Sequence, residues 1–279
     1  MWSSYVRIAT RIALVLFLAM EGVGAQVAAA QGADSSASRG DKTFLTRRDL
    51  VTAGLALGVT AALSHWDPDI AQASQRGSYQ DSSTRRWANR ISKVNETTLT
   101  LGGLVVYGVS RLTHANTAAD IALHTTESVV LASLTSQVIR GPLGRARPSV
   151  TNDSDQYSFT AFKGFGHFTN RAFPSIHTSS SMAVATVLTM ETHRRHPGAT
   201  PFVAPILFAA GLLPGLARID LNQHWASDIA AGAFMGVFSG YKVVKYSHDH
   251  PGNRFDRVLL HALVSPGPNG APMLGFSFQ

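Results

Sequence analysis

The sequence predicts a mainly α-helical protein, built as a single helical bundle with a short C-terminal β-hairpin. First, 45% of the 279 residues are hydrophobic and 15% are charged, so the chain can bury a sizeable core and is unlike a disordered segment. Second, apolar residues recur every three to four positions through most of the chain. Third, clusters of proline and glycine separate these stretches, which is typical of connections between helices.

The N-terminal residues are predicted to lie outside this bundle. Two arginines precede an apolar run at 12–20, and small residues precede a predicted cleavage after Ala25. This order of segments is typical of a secretory signal peptide over residues 1–25, with an uncleaved membrane anchor as the alternative. Residues 26–45 are rich in Ala, Gly, Ser and Asp and are interpreted as a linker. We therefore expect an exported protein, periplasmic or associated with the cell envelope.

Residues 46–262 are predicted to form the helical domain. Its first helix is expected to belong to the core and to end near His65. The pair Arg47-Arg48 before it could instead be a twin-arginine export signal, but it follows a more ordinary signal. Six further helices are predicted at approximately 83–93, 99–113, 118–140, 178–193, 202–217 and 224–246.

Two features frame the end of this domain. Pro142 and Pro148 are expected to follow the helix at 118–140, because proline disrupts a helix interior. Residues 263–279 are predicted to form the hairpin, which turns at Pro268-Asn269-Gly270.

Composition limits the environment and the partners. A helix that spans a bilayer needs about 20 mostly apolar residues, whereas the uncharged stretch at 202–217 is shorter and the mean hydropathy is only +0.06. A globular exported bundle is therefore preferred, and a polytopic membrane protein stays open. The net charge of +7 favours anionic partners such as phosphates or lipid headgroups. The absence of cysteine excludes disulfides and thiolate metal sites.

Three short motifs indicate the chemistry of the chain. The first, RGPLGRARP, places Arg140, Arg145 and Arg147 in and around a predicted turn. Each guanidinium group can give two parallel hydrogen bonds to a phosphate, so this motif suits an anion. The alternative is a basic loop after a helix C-terminus, where cations are favourable in any case.

The second motif, FPSIHTSSS, combines a helix start with a histidine. Ser175, after Pro174, can cap the next helix, and the free backbone N–H groups of a helix N-terminus attract anions. His177 would lie beside a bound anion, and imidazole is well suited to transferring a proton near neutral pH. The alternative is a histidine that merely lies near a helix start, and this interpretation is preferred when the motif is taken alone.

The third motif, ARIDLNQHWASD, places Arg218 before a histidine and an aspartate. His224 and Asp228 are four residues apart, so they share one face of a helix. The carboxylate can then orient the imidazole and leave its other ring nitrogen as a nucleophile. The alternative is a solvated surface pair, but the apolar residues that follow argue against it.

Together the motifs resemble the type-2 phosphatidic acid phosphatase family, which shares its fold and site with bacterial acid phosphatases and vanadium haloperoxidases. The family pattern is Lys-x6-Arg-Pro, then Pro-Ser-Gly-His, then Ser-Arg-x5-His-x3-Asp. The resemblance covers roughly residues 49–246, with intact spacing inside each motif. At three positions the chain departs from the pattern: Arg140 replaces lysine, Ile176 replaces glycine and Ala217 replaces serine. Ile176 keeps the backbone N–H but adds bulk near the expected phosphate.

This resemblance implies a helical bundle of the acid phosphatase/haloperoxidase type and an exported phosphatase acting on phosphate monoesters or pyrophosphates, including lipid phosphates. His224 would attack phosphorus to form a phosphohistidine, Asp228 would orient it, and His177 would protonate the leaving oxygen. The phosphoryl oxygens would be held by Arg140, Arg147, Ser175, Ile176 and Arg218. No metal and no cofactor are expected, and vanadate is expected to inhibit. The expected partner is a phosphorylated small molecule or a lipid phosphate at a membrane surface, and not nucleic acid.

Two other functions remain as alternatives. A vanadium-dependent haloperoxidase would use vanadate as a cofactor in the same site, although the family's haloperoxidases are generally much longer chains. A non-catalytic envelope protein that only binds anionic lipid or polymer would also account for the positive net charge of the chain. Separately, SHDHPGN offers His248, Asp249 and His250 as metal ligands, but this alternation is more often a solvated turn, and no metal site is expected.

Overall fold

The computed structural model describes residues 45–77 and 80–250, together with the backbone of two strands at 262–266 and 272–276. Its longer helices are α1 (Arg47–Ser64), α2 (Asp67–Ser74), α3 (Ser82–Ile91), α4 (Glu96–Leu112), α5 (Asn116–Leu143), α6 (Ile176–Arg195), α7 (Thr200–Asp220) and α8 (Ala226–Asp249). The mainly α-helical bundle predicted from the sequence is therefore confirmed. The predicted signal peptide at 1–25, and all of the predicted linker but its last residue, lie outside the described residues.

Local capping accounts for where several helices begin. In α1, the Thr46 hydroxyl accepts a hydrogen bond from the Asp49 N–H, and the Asp49 carboxylate accepts one from the Thr46 N–H at 2.6 Å. Asn95 and Thr98 form the same reciprocal pair at the start of α4. The short helix α2 was not predicted, and its first residue, Asp67, is buried beneath the site described below.

Helix α5 continues through Pro142, so the prediction that this proline follows the helix is wrong. A proline in the last turn removes one backbone donor, and the helix tolerates this loss so near its end. The helix ends at Gly144, which has a φ of 59°. A Cβ at this position would lie 1.9 Å from the Thr160 carbonyl oxygen, so only glycine fits. Gly144 therefore fixes the direction in which the arginine-rich segment leaves the helix.

Helix α6 lies at the centre and packs against α5, α7 and α8. Glycines let α8 approach it closely, since a Cβ on Gly236 would lie 2.3 Å from the Ser179 carbonyl oxygen and one on Gly232 would lie 2.5 Å from that of Ser175. Many buried residues of α6 are Ser or Thr, and their hydroxyls are hydrogen-bonded. This packing holds the N-termini of α6 and α8 side by side.

Large apolar side chains cover the outer faces of four helices. Leu50 on α1 is 70% exposed, Val138 on α5 is 71% exposed and Phe202 on α7 is 75% exposed. The same surface includes Leu55, Leu57, Leu101, Val105, Val109, Leu134 and Ile206. Such a surface is unusual for a water-soluble bundle. The expectation that the first helix belongs to the core is therefore wrong, since only Thr60, Leu63 and Ser64 of α1 are buried.

Among the described helices, one stretch is long and apolar enough to cross a bilayer by length and composition, Pro197–Asp220.

At the C-terminus, β1 (Ala262–Pro266) pairs antiparallel with β2 (Pro272–Phe276), with Val264 opposite Leu274. The turn predicted at Pro268-Asn269-Gly270 lies outside the described residues.

Candidate active site

The three sequence motifs meet at one end of the bundle. The first lies at the C-terminus of α5, the second at the N-terminus of α6, and the third joins the end of α7 to the start of α8. The rings of His177 and His224 have their centroids 6.5 Å apart. Arg140 and Asp228, which are 88 positions apart in the chain, are thus brought together at one end of the bundle.

His224 and Asp228 come together through the turn that begins α8. His224 precedes the helix, which starts at Ala226, so the two residues are not both on a helical face as predicted. The Asp228 carboxylate instead accepts a hydrogen bond from the Trp225 N–H at 2.8 Å, and its Oδ2 lies 3.4 Å from the His224 Nδ1. This distance is longer than that of an optimal hydrogen bond. The capping turn therefore sets the contact between them.

The other ring nitrogen of His224 is available for chemistry. Within the described residues, His224 Nε2 makes no hydrogen bond, although it is buried. Burial lowers the pKa of His224 well below its usual value, and the nearby Arg218, Arg140 and Arg147 lower it further. The imidazole is thus neutral at neutral pH, with its Nδ1 side toward Asp228. A neutral ring in this orientation can offer the Nε2 lone pair as a nucleophile.

A buried network fixes Asp228 from behind. Arg145 donates to Asp228 Oδ1 at 2.6 Å and to Asp67 Oδ2 at 2.8 Å. Asp67 Oδ1 in turn accepts a hydrogen bond from the Ser227 N–H at 2.9 Å. Arg145 therefore serves the carboxylates rather than a phosphate, in contrast to the reading of the first motif as a set of three phosphate-binding forks. Burial raises the pKa of Asp67 to about 6, and Arg145 counteracts part of that rise.

Sequence reasoning missed Asp67 as part of the site. It lies in the short segment DPD, 78 residues before its partner Arg145, and nothing in its local sequence points to that contact. The buried Trp225 also supports the network, because its indole N–H donates to the Ala146 carbonyl at 2.9 Å.

Three arginines give the site its positive charge. Arg140 donates through Nε to the Arg171 carbonyl at 3.2 Å. Arg147 and Arg218 share one acceptor, the side-chain oxygen of Gln223, which lies 3.3 Å from Arg218. Gln223 was not singled out from the sequence, although it directly precedes His224.

The arginines repel one another. Burial lowers the pKa of Arg147 to about 9, and the nearby Arg218 and Arg140 add to this effect. Burial likewise lowers the pKa of Arg140 to about 10. The aromatic ring of Phe168 lies 4.0 Å from the Arg147 guanidinium carbon and partly compensates its charge. A bound anion would relieve this repulsion, which is the electrostatic property expected of a phosphate site.

Ser175 has a structural role at the helix start rather than the direct one expected. Its N–H donates to the Asp228 carbonyl at 3.0 Å, and its hydroxyl accepts a hydrogen bond from the Thr178 hydroxyl at 3.0 Å. Its backbone donor is thus already used. The N–H groups of Ile176 and His177 occupy the first two helical positions, which have no acceptor within a helix. They are the donors that this helix N-terminus can offer to an anion.

His177 is suited to proton transfer only when an anion is present. Within the described residues its Nδ1 makes no hydrogen bond. Burial lowers the pKa of His177 to about 3, and the positive Arg218 contributes to the shift. The ring is therefore neutral at pH 7. A bound phosphate would counter both the arginines and the desolvation, and so would raise this pKa toward the range needed by a general acid.

Part of the chain is similar to known proteins. Residues 121–251 match the family model of the PAP2 superfamily. The chain is 30% identical to a lipid A 1-phosphatase of Porphyromonas gingivalis over 103 residues, which is 37% of this chain and 22% of that protein. It is 29% identical to a lipid A 1-phosphatase of Rhizobium etli over 121 residues, which is 43% of this chain and 48% of that protein. The chain therefore spans less than half the length of these curated relatives.

A solved structure shares the fold. It is the crystal structure of a transmembrane PAP2-type phosphatidylglycerolphosphate phosphatase from Bacillus subtilis, with a TM-score of 0.53 and 20% sequence identity. The similarity covers 74% of this chain and 96% of that one.

Proposed function

We propose that the protein is a phosphatase that removes phosphate from a lipid phosphate, and the match of residues 121–251 to the family model of the PAP2 superfamily supports this. The observation that carries the proposal is the neutral, buried His224, which is oriented by Asp228 and faces a site charged by three arginines. Relatives named as lipid A 1-phosphatases support a lipid substrate.

In the first proposed step, His224 Nε2 attacks phosphorus while the bond from phosphorus to the lipid oxygen breaks. His177 gives its proton to that oxygen, and a phosphohistidine forms. Arg140, Arg147 and Arg218 stabilise the charge on the phosphoryl oxygens, because phosphoryl transfer depends mainly on positioning and on charge stabilisation.

In the second step, water attacks phosphorus and the bond to His224 breaks. His177, now neutral, accepts a proton from that water, and orthophosphate leaves. Asp228 keeps Nδ1 protonated through both steps, so that Nε2 alone exchanges the phosphoryl group. This mechanism needs no metal, because the guanidinium groups supply the positive charge.

The exposed apolar surface supports membrane association. Helices α1, α4, α5 and α7 carry it around the bundle, and lipid is the environment in which such side chains are favourable. We propose that the protein is held in a membrane by this surface, and that export through the predicted signal peptide places its site outside the cytoplasm. Resistance to extraction by alkaline carbonate, together with release by detergent, would support this, whereas release by mild lysis would contradict it.

Phosphate release tests the activity. The purified full chain should release inorganic phosphate from vesicles or micelles that contain a lipid A 1-phosphate or a phosphatidylglycerolphosphate, and faster than from soluble sugar phosphates. His224→Gln should release none from any of them. Equal release by His224→Gln and by the wild type would refute the proposed nucleophile.

Vanadate distinguishes the phosphatase from the haloperoxidase alternative. It can adopt five-coordinate geometry resembling the phosphoryl transition state, so a phosphatase should be inhibited competitively with substrate. Efficient bromide oxidation by the vanadate-loaded protein, with no phosphate release from any ester, would overturn the assignment.

A further inference from the structure

A second polar cluster lies at the end of the bundle opposite the candidate active site. It draws on the first turns of α5 and on the last turns of α6 and α8, whereas the site uses the other end of each helix. Two members are almost completely buried, with His124 1% and Glu191 2% exposed. The four side chains are Asp120, His124, Glu191 and His248.

We propose that these four side chains bind a divalent transition metal of the zinc class. Each offers one ligand atom, and the four ligand atoms lie within 4.8 Å of one another. Two imidazole nitrogens and two carboxylate oxygens form a donor set that zinc accepts in tetrahedral geometry. The mechanism proposed above uses none of these residues, so this inference is independent of it.

The separations between ligand atoms are close to those that zinc requires. Bonds of about 2.1 Å at tetrahedral angles place ligand atoms roughly 3.4 Å apart. His124 Nε2 lies 3.5 Å from Asp120 Oδ1, and His248 Nε2 lies 2.7 Å from Glu191 Oε1. The other ring nitrogen of His124, Nδ1, lies 3.8 Å from the same Glu191 oxygen. Because a histidine gives one metal ion only one ring nitrogen, Nδ1 and Nε2 of His124 are alternative ligand atoms. Asp120 and His124 are also four residues apart on one helix, a spacing that directs both toward one ligand.

Arg195 supports the carboxylates from the other side. It pairs with Glu191 Oε2 and with Asp120 Oδ2, which lies 3.5 Å from its guanidinium group. The remaining oxygens, Glu191 Oε1 and Asp120 Oδ1, are the ones that face the histidines. Each carboxylate can thus keep its contact with Arg195 and still give one oxygen to a metal. Hydrogen bonds from residues that do not themselves bind the metal orient the ligating carboxylates in known metal sites.

The sequence analysis singles out one of these four residues, His248. It offers His248, Asp249 and His250 of the SHDHPGN segment as metal ligands and favours a solvated turn instead. In the structure, Asp249 pairs with Lys245 at 3.0 Å and the His250 ring stacks on Tyr246. Only His248 turns inward, and its partners come from helices more than 50 residues away in sequence.

The position of the cluster indicates a structural role for the metal. His124 and Arg140 lie on the same helix, 16 residues apart, which at 1.5 Å per residue is about 24 Å. The metal would therefore not reach the reacting phosphate. It would instead tie α8 to α5 and α6 beyond the point where the glycines of α8 hold the helices together.

Zinc binding to the full-length, chelator-treated protein tests the proposal. Calorimetry with zinc chloride should give one tight site per chain, and His248→Gln and Asp120→Asn should each weaken it by at least about 10- to 100-fold. Both residues are partly exposed, so these variants should fold. The matched control is His65→Gln, which removes an exposed histidine that directly follows α1 and is not part of the cluster. This variant should bind zinc like the wild type. Zinc should also raise the thermal midpoint of the wild type and of the control, but not that of the two cluster variants.

Two results would overturn the proposal. One is the absence of any site with one zinc per chain. The other is a zinc site whose affinity is the same in His248→Gln, Asp120→Asn and the wild type, because the metal would then bind elsewhere. Phosphate release is measured separately, so failure of the zinc site leaves the proposed function untouched.

Discussion

Asp228 and Asp67 share Arg145, and this makes them a matched pair for testing how the proposed nucleophile, His224, is oriented. Asp228 accepts hydrogen bonds from Arg145 and from the Trp225 N–H, and its Oδ2 faces His224. An asparagine has only one oxygen for these three donors. If that oxygen faces Arg145, its NH₂ group meets Trp225 and His224, and the imidazole must place its proton on Nε2 instead.

The expected cost of Asp228→Asn follows from that change of tautomer. With Nε2 protonated, His224 loses the lone pair proposed to attack phosphorus, and kcat/KM should fall by about 10²–10⁴-fold, or about 3–5 kcal/mol of transition-state stabilisation. Asp67→Asn disturbs the same guanidinium group but lies away from His224. It should lose less than about tenfold in activity, while each variant should lose roughly 1–3 kcal/mol of unfolding free energy through an unsatisfied buried donor.

The assay measures phosphate release from an aryl phosphate and from a lipid phosphate, with thermal unfolding recorded on the same preparations. Activity is compared only at temperatures where each variant is folded. Equal losses of kcat/KM in Asp67→Asn and Asp228→Asn would refute the reasoning, since the network would then act as a whole rather than through the His224 tautomer. Retention of more than a tenth of the activity in Asp228→Asn would do the same.

Three further predictions concern the other site residues. His177→Ala should reduce turnover most for esters with poor leaving groups and least for an aryl phosphate, because a good leaving group needs little protonation. Equal losses across leaving groups of different pKa would exclude His177 as the general acid. Ile176→Gly should raise kcat/KM or broaden the substrate range if the buried isoleucine side chain restricts the phosphate pocket, and unchanged kinetics on several substrates would show that it does not. The pKa values of His177 and His224 are lowered in the folded state, so folding opposes protonation of both rings. The unfolding free energy should therefore be highest above about pH 6.5 and should fall at lower pH by up to about 1.4 kcal/mol per pH unit for each histidine. Thermal midpoints measured at a series of pH values should fall less in His177→Gln than in the wild type, and less in the wild type with inorganic phosphate than without it.

The three motifs are recognisable in the sequence because the spacing inside each of them is local. Ser175 and His177 lie at one helix start and His224 and Asp228 at another, and the prolines and small polar residues that form those turns are visible in the sequence. Arg145 was interpreted as one of the phosphate-binding arginines of the first motif, and this is wrong because its partner is distant in the sequence. A guanidinium group suits a phosphate and a carboxylate equally, and its partner Asp67 is brought near only by the packing of α2.

Whether the apolar face of an outer helix points toward the core or outward could not be predicted from the sequence either. An apolar stripe that faces a protein core and one that faces outward have the same periodicity, so α1 was expected in the core. The exposed Leu50 and Leu55 show the difference only once the positions of the other helices are known.

The location of Asp67 bears on how this protein can be dissected. The segment that matches the family model runs from 121 to 251 and includes all three motifs. An expression fragment cut to that segment would keep every residue proposed to contact phosphate, yet it would lack α2. Arg145 would then have one carboxylate where it now has two, and the N–H of Ser227 would lose its acceptor. We therefore expect the smallest fragment that keeps this buried network to begin before residue 67, and a homologous chimera to need α2 together with the arginine-rich loop.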